Sequence, residues 1–194
     1  MAESAAVAGF VLVGGESRRM GKDKALLAYA GETLVQAVAL EVVKAAGSVA
    51  LLGDPARYRH LGISTVPDVI PARGPMSGLH AALKSAKADW ILLVACDMPN
   101  VHASFLRTLI DRATLTQARC VAARSERGLE PLCAVYHRST LSEVEKALQE
   151  NRLRMRDLVA RLDPIGVDAE ARLVRNVNTE NDWRVHLTEK ERLP

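Results

Sequence analysis

Two features of the sequence could do chemistry. The first is Asp97, which closes the apolar run "WILLVACD" at 90–97 and is followed at once by Met98-Pro99. A carboxylate at such a rim suits Mg²⁺, which prefers oxygen ligands and commonly combines one or two carboxylates with substrate phosphates. A loop-capping Asp is the plainer reading. The second feature is "VGGESRRMGKDKALL" at 13–27. Without Cβ atoms, Gly14 and Gly15 let the backbone turn sharply, approach a ligand and aim consecutive amides at an anion. Arg18, Arg19, Lys22 and Lys24 follow within a few residues. Arg grips phosphate oxygens in a bidentate fork and Lys supplies a mobile point charge. A turn with a solvated basic face is the alternative; the density of cations favours a phosphate ester, and their number a polyphosphate.

Taken together, a cationic glycine turn and a rim carboxylate describe metal-assisted chemistry on a nucleoside triphosphate. Arg and Lys neutralise charge developing on the phosphates, and Mg²⁺ bridges α- and β-phosphate oxygens. Positioning and electrostatics then suffice, and no nucleophilic side chain is needed. Two familiar phosphate loops are excluded. A P-loop needs four residues between its glycines and then Gly-Lys-Ser/Thr, whereas five separate Gly15 from Gly21 and Asp23 follows Lys22. The dinucleotide fingerprint needs G-x-G-x-x-G, and here the glycines are adjacent with Arg18 where a third would stand.

These residues must be held by a scaffold, and the composition bounds it. The chain has 194 residues, 48% apolar and 25% charged, which suits one globular domain with a sizeable core. Aromatic residues are only 4%, so Ala, Val, Leu and Ile must build that core. A net charge of +3 is too small to imply a nucleic-acid partner, and any useful positive charge must be local. Cys96, Cys120 and Cys133 have no zinc spacing and an odd count, which predicts buried thiols in a reducing compartment. Neither a signal peptide nor an apolar run of membrane-spanning length is present. A cytoplasmic protein with no membrane partner is the expectation.

Short apolar runs alternate with amphipathic patterns. Strands are expected at 7–13, 48–53, 63–68, 90–97, 119–125, 131–137 and 171–179. Helices are expected at 33–47, with Thr33 as N-cap and Gly47 as stop, and at 74–89, 104–112, 139–151, about 154–161 and the C-terminus. This alternation predicts one α/β domain over 1–194, a mostly parallel sheet with helices on both faces. Ligands sit beyond the carboxyl ends of the strands in such folds. The places to inspect are therefore 14–24, 53–54, 67–78, 96–100 and 176–181. Asp54 reads as turn chemistry before Pro55, Asp89 as structural, and His80 and His102 as local hydrogen-bonding groups.

The motif "LVGGESRRMGKDKALL" resembles the L-A-G-G-x-S-x-R-M-G-x-D-K-x-L signature of molybdenum cofactor guanylyltransferases, with Val13 in the usual Ala position. "PDVIPARGPMSGLHAAL" (67–83), "LLVACDMPNV" (92–101), "EPLCAVYHRSTLSEVEKAL" and "VRNVNTENDW" (174–183) are similar to further segments of that family. Met76 replaces Leu and Glu180 replaces Pro. The resemblance covers nearly the whole chain. It implies a Rossmann-like nucleotidyltransferase fold, a nucleotide-binding part over about 7–100 and an acceptor-binding part over about 101–194.

The activity it implies joins GMP from GTP to the terminal phosphate of the molybdopterin cofactor, releasing pyrophosphate, with Mg²⁺ as cofactor. Carried over by position, Leu12, Val13, Gly14 and Gly15 contact the nucleotide, together with Gly53 and Asp68. Arg19 and Lys24 stabilise the triphosphate and the leaving pyrophosphate, and Asp97 holds Mg²⁺. Asn178, and also Asn176, assist near the metal or the acceptor phosphate. Arg152, Arg154 and Arg156 either attract the anionic pterin phosphate or form a solvated face. Cofactor-delivery proteins or recipient molybdoenzymes are further partners of such an enzyme. A cytidylyltransferase is the alternative within enzymes, although Gly14-Gly15 favours guanine. A longer-chain relative, a sugar-1-phosphate nucleotidyltransferase, shares the fold logic, and a non-catalytic nucleotide-binding chaperone is the alternative from another class.

Overall fold

The structure, a computed structural model, describes residues 6–14, 23–29, 31–70 and 73–191. Its strands are β1 (Val7–Leu12), β2 (Ala28–Tyr29), β3 (Glu32–Thr33), β4 (Ala50–Leu52), β5 (Thr65–Val66), β6 (Trp90–Ala95), β7 (Cys120–Ser125), β8 (Gly128–His137) and β9 (Ile165–Asp168). Its helices are α1 (Leu34–Ala46), α2 (Pro55–Tyr58), α3 (Pro75–Ser85), α4 (Ala103–Thr116), α5 (Leu141–Gln149), α6 (Met155–Ala160) and α7 (Glu180–Glu191). Seven strands form one sheet in the order β5-β4-β1-β6-β8-β7-β9, and β2 and β3 form a separate small hairpin. Within the sheet β8 alone runs antiparallel to its neighbours β6 and β7.

The continuous apolar runs become the central strands because a strand covered on both faces needs no polar side. All six residues of β6 are buried. Trp90, Leu92 and Val94 face a core built with α1 and α4, while Ile91 and Leu93 face one built with α3, α5 and α6. Helix α1 begins as expected: the Thr33 hydroxyl accepts the Gln36 amide while the Gln36 side chain accepts the Thr33 amide. Gly47 ends it in the left-handed conformation. The thiols of Cys120 and Cys133 are buried in strands, and burial pushes each up to about 12.

The expectation of a strand at 171–179 is corrected. The edge place beside β7 belongs to β9, four residues long, which pairs in parallel from Val121 to Arg124. Residues 171–178 cross the carboxyl ends of the strands in turns, with the Leu173 amide bonded to the Glu170 carbonyl at 2.9 Å. Their apolar residues Leu173, Val174 and Val177 are buried without strand alternation. The chain needs that path, because it delivers Asn176 and Asn178 to the rim where Asp97 stands.

The rim is also fixed from α1. Glu41 Oε2 accepts the Ala103 amide at 2.7 Å, covering the first turn of α4, and Oε1 accepts the Lys44 ammonium at 2.7 Å. Burial raises the Glu41 carboxyl, but these two bonds outweigh it and hold its pKa below the ordinary value. A carboxyl whose pKa is depressed by folding stabilises the fold above its unfolded pKa, and the contribution fades as pH falls through the folded one. Glu41→Ala is therefore expected to cost about 1 kcal/mol at pH 7, roughly 2–4 °C in Tm. Thermal melts from pH 7 down to 3 should show the gap between variant and parent closing as the pH drops.

Candidate nucleotide site

The parallel strands β1 and β6 end side by side, and the Cys96 amide extends their ladder by donating to the Leu12 carbonyl at 3.1 Å. Beyond this point both chains leave the sheet. The β1 exit is Gly14, whose φ of +91° lies in the left-handed region that glycine enters without strain. The β6 exit is Asp97. Between them lies a cavity of about 240 Å³ lined by Leu12, Gly14, Lys24, Cys96, Asp97 and Asn178, among others.

The Lys24 ammonium donates to Asn178 Oδ1 at 2.9 Å, joining residues 154 apart in the chain. Asn178 is held in turn by the start of α7. Asp182 Oδ2 accepts the Asn178 and Thr179 amides at 3.0 and 2.8 Å, and the Thr179 hydroxyl accepts the Asp182 amide at 3.1 Å. Residue 180 is the first of α7, a position whose amide has no intrahelical partner, so either Glu or the Pro of the resembled motif suits it. The Val177 amide donates to the Asp97 carbonyl at 2.8 Å, tying this segment to the end of β6. Tyr29 of the β2–β3 hairpin meets Trp183 and His186 of α7 at ring-centroid distances of 5.6 and 5.4 Å. That aromatic contact fastens the segment after Lys24 to the segment after Asn178.

Asp97 is electrostatically unfinished. Among the described residues no donor reaches its Oδ1, which is shielded from solvent. Burial raises the pKa of this carboxyl, and the charge of Lys24 acts in the opposite direction. A carboxylate that lines a cavity holding an ammonium, with one buried oxygen lacking a donor, fits an oxygen-seeking cation such as Mg²⁺. Among the described residues no group of three or more His, Cys, Asp or Glu is placed to hold a metal. A cation on Asp97 would take its remaining oxygens from phosphate and water.

The other expected residues divide. Leu12, Gly14, Lys24, Asp97 and Asn178 come together in this one cavity. Val13 does not line it: its side chain is in the core and its amide donates to the Leu52 carbonyl at 3.1 Å. Gly53 sits behind Val13, where a Cβ would lie 2.8 Å from Val13 Cγ2 and 3.0 Å from the Val13 carbonyl oxygen. Close approach of two backbones accounts for that glycine. Asp68 lies half-buried just after β5, outside the cavity lining, with its pKa raised by burial. Gly15, Arg18, Arg19 and Lys22 lie outside the described residues.

Asn176 faces a second cavity, of about 480 Å³, which shares Pro75 and Leu132 with the first and is lined also by Met98, Leu153, Arg154 and Arg156. Its Oδ1 is buried and, among the described residues, without a donor. The basic segment thus splits: Arg154 and Arg156 belong to this cavity, whereas Arg152 pairs with Glu150. His102 caps α4 by accepting the Phe105 amide at 3.3 Å, a local hydrogen bond as expected, whereas buried His80 lies 3.5 Å from Glu145 of α5 and its Nδ1 meets no partner among the described residues. Asp54 caps α2 and Asp89 pairs with Arg138 at 3.4 Å. Sequence reasoning missed the grip on Asp23. Its Oδ2 accepts the Tyr58 hydroxyl at 2.8 Å, and nothing in the run around Tyr58 signals that contact.

Comparison with known proteins matches this arrangement. Residues 9–165 match the family described as a MobA-like NTP transferase domain. A probable molybdenum cofactor guanylyltransferase from Opitutus terrae is 36% identical over 190 residues, 95% of this chain and 91% of that protein. One from Synechococcus elongatus is 33% identical over 189 residues, 91% of this chain and 96% of its own. The crystal structure of molybdopterin-guanine dinucleotide biosynthesis protein A from Archaeoglobus fulgidus has the same fold. It superposes with a TM-score of 0.83 over 96% of this chain and 100% of that one, at 22% identity. The match over most of the chain, on a sheet whose strand ends gather Gly14, Lys24 and Asp97, makes this protein a nucleotidyltransferase that belongs to the MobA-like NTP transferase family.

Proposed function

We propose that this protein transfers the guanylyl group of GTP to the terminal phosphate of the molybdopterin cofactor, forming its guanine dinucleotide and pyrophosphate. The observation that carries the reading is the meeting of Lys24, Asn178 and the incompletely paired Asp97 in one cavity that adjoins a second, whose lining carries Arg154 and Arg156 beside Glu130 and Asp157. The names borne by the Opitutus and Synechococcus relatives support guanine as the base and molybdopterin as the acceptor.

GTP occupies the first cavity, with its phosphates over Gly14 and Lys24. Gly15 and Arg19 complete the contacts to its phosphates, while Val13, Gly53 and Asp68, which do not line this cavity, are left to shape the loops around it. The acceptor occupies the second cavity, with its phosphate drawn toward Arg154 and Arg156. On this division the nucleotide half is about 7–100 and the acceptor half about 101–194. A terminal phosphate oxygen of the acceptor attacks the α-phosphorus of GTP. One P–O bond forms, the bond from the α-phosphorus to the bridging oxygen breaks, and pyrophosphate leaves with that oxygen. Lys24 neutralises charge on the departing phosphates, and Asn178 keeps the ammonium aimed at them when the site is empty of substrate. Asp97 would hold Mg²⁺, which polarises phosphate oxygens and offsets their charge when bound. Asn176, on the lining of the second cavity, orients the acceptor phosphate. No helix among the described residues is long and apolar enough to cross a membrane, in keeping with cytoplasmic work alongside delivery proteins or recipient molybdoenzymes.

Release of pyrophosphate from GTP, dependent on the pterin acceptor and on Mg²⁺, tests the reading; no release with any nucleotide rejects it. Lys24→Ala and Asp97→Ala are each expected to lower kcat/KM by about 10²–10³-fold, the usual cost of removing a group that meets transition-state charge. If Asp97→Ala retained full ability to serve pterin enzymes, a chaperone role would replace the catalytic one. In parallel assays GTP should turn over faster than CTP, and a clear preference for CTP would reassign the base.

A further inference from the structure

Asp23 borders the nucleotide cavity, yet its carboxylate is already engaged by the protein. Oδ1 accepts the Ala25 amide at 3.1 Å, and Oδ2 accepts the Tyr58 hydroxyl at 2.8 Å and the Arg57 Nε at 3.1 Å. The side chain is only 13% exposed. Tyr58 is 1% exposed, and burial together with the bond to Asp23 pushes its phenol well up, so it stays a donor throughout the physiological range. The two donors on Oδ2 come from α2, which follows β4 and is started by the Asp54 cap. The loop after one strand therefore grips the loop after its neighbour, one residue before Lys24.

We infer that Asp23, clamped by Tyr58 and Arg57, is a positioning residue that sets the Lys24 ammonium for the triphosphate. A Lys side chain has four rotatable bonds and is costly to immobilise, so a fixed backbone at its root lowers the ordering left for the nucleotide to impose. The clamp also spends the charge of Asp23 on Arg57 and two neutral donors. Lys24 is thereby left to a weak neutral partner, Asn178, which phosphate oxygens readily displace. An unclamped Asp23 beside Lys24 would compete with the ligand for that ammonium.

The inference rests on GTP as the ligand of this cavity, but its test does not need the acceptor. GTP affinity is measured by calorimetry in the parent protein, Tyr58→Phe, Lys24→Met and the double variant. Phe keeps the buried ring and removes only the donor. Tyr58→Phe is expected to weaken GTP binding by roughly five- to tenfold. In the Lys24→Met background the same change should cost less than about twofold, because the group being positioned is gone. In steady state Tyr58→Phe should raise KM for GTP by the same factor and leave KM for the acceptor unchanged. An equal loss in both backgrounds, or an equal rise in both KM values, overturns the inference and leaves Tyr58 a core residue only. Intact coupling in a protein that transfers nothing to the pterin would reject the transfer reaction and keep the clamp. A parent protein that binds no GTP rejects both.

Discussion

A carboxylate at the end of a wholly buried strand is the constraint around which this molecule is organised. β6 offers nothing polar along its length, and its apolar walls continue to the rim where Asp97 begins. Burial there drives the carboxyl toward its neutral form, and the charge of Lys24, with a smaller contribution from its own backbone amide, opposes that drive. An anion kept half-satisfied in this way is costly to the fold and useful to a ligand that brings its own cation. The donorless oxygen on Asp97 is the group that such a cation would satisfy.

The rest of the scaffold can be understood as the means of bringing the opposing charge to that oxygen and holding it there. Lys24 and Asn178 are far apart in the chain, and neither lies in a strand of the main sheet. The aromatic contact of Tyr29 with Trp183 and His186, the amide of Val177 on the Asp97 carbonyl, and the α2 clamp on Asp23 act from three directions. Each uses buried or backbone groups, whose geometry is better determined than that of exposed ion pairs. A second cavity lies against the first, with Pro75 and Leu132 in common, and on the proposed function an acceptor would enter it from the side of α6 without crossing the nucleotide.

Much of this was legible from residues alone wherever local physics decides. The run 90–97 can only be a buried strand, and its terminal carboxylate stands out for that reason. Thr33 with Gln36, and Gly47, mark the ends of α1 by bonds formed within a few residues. Where the outcome depends on distant partners the sequence is silent. β9 is a four-residue edge strand whose pairing with β7 no local pattern announces, and the Leu173, Val174 and Val177 that mimic a strand are core plugs on an irregular crossing. Gly53 resembles a ligand contact by position, but the crowding of Val13 against it explains its lack of a side chain. The basic face at 152–156 reads as one feature in the sequence, and in three dimensions it divides between a cavity and an ion pair.

The central claim is that Lys24 and Asp97 act on one metal-bound triphosphate, and a crystal structure of the protein with GTP and Mn²⁺ addresses it most directly. The account predicts an anomalous manganese peak bonded to the Asp97 carboxylate, with the triphosphate lying between that ion and the Lys24 ammonium. A nucleotide seated elsewhere, such as the cleft beside Asn100, His102 and Arg172, or an ion bound away from Asp97, would contradict it.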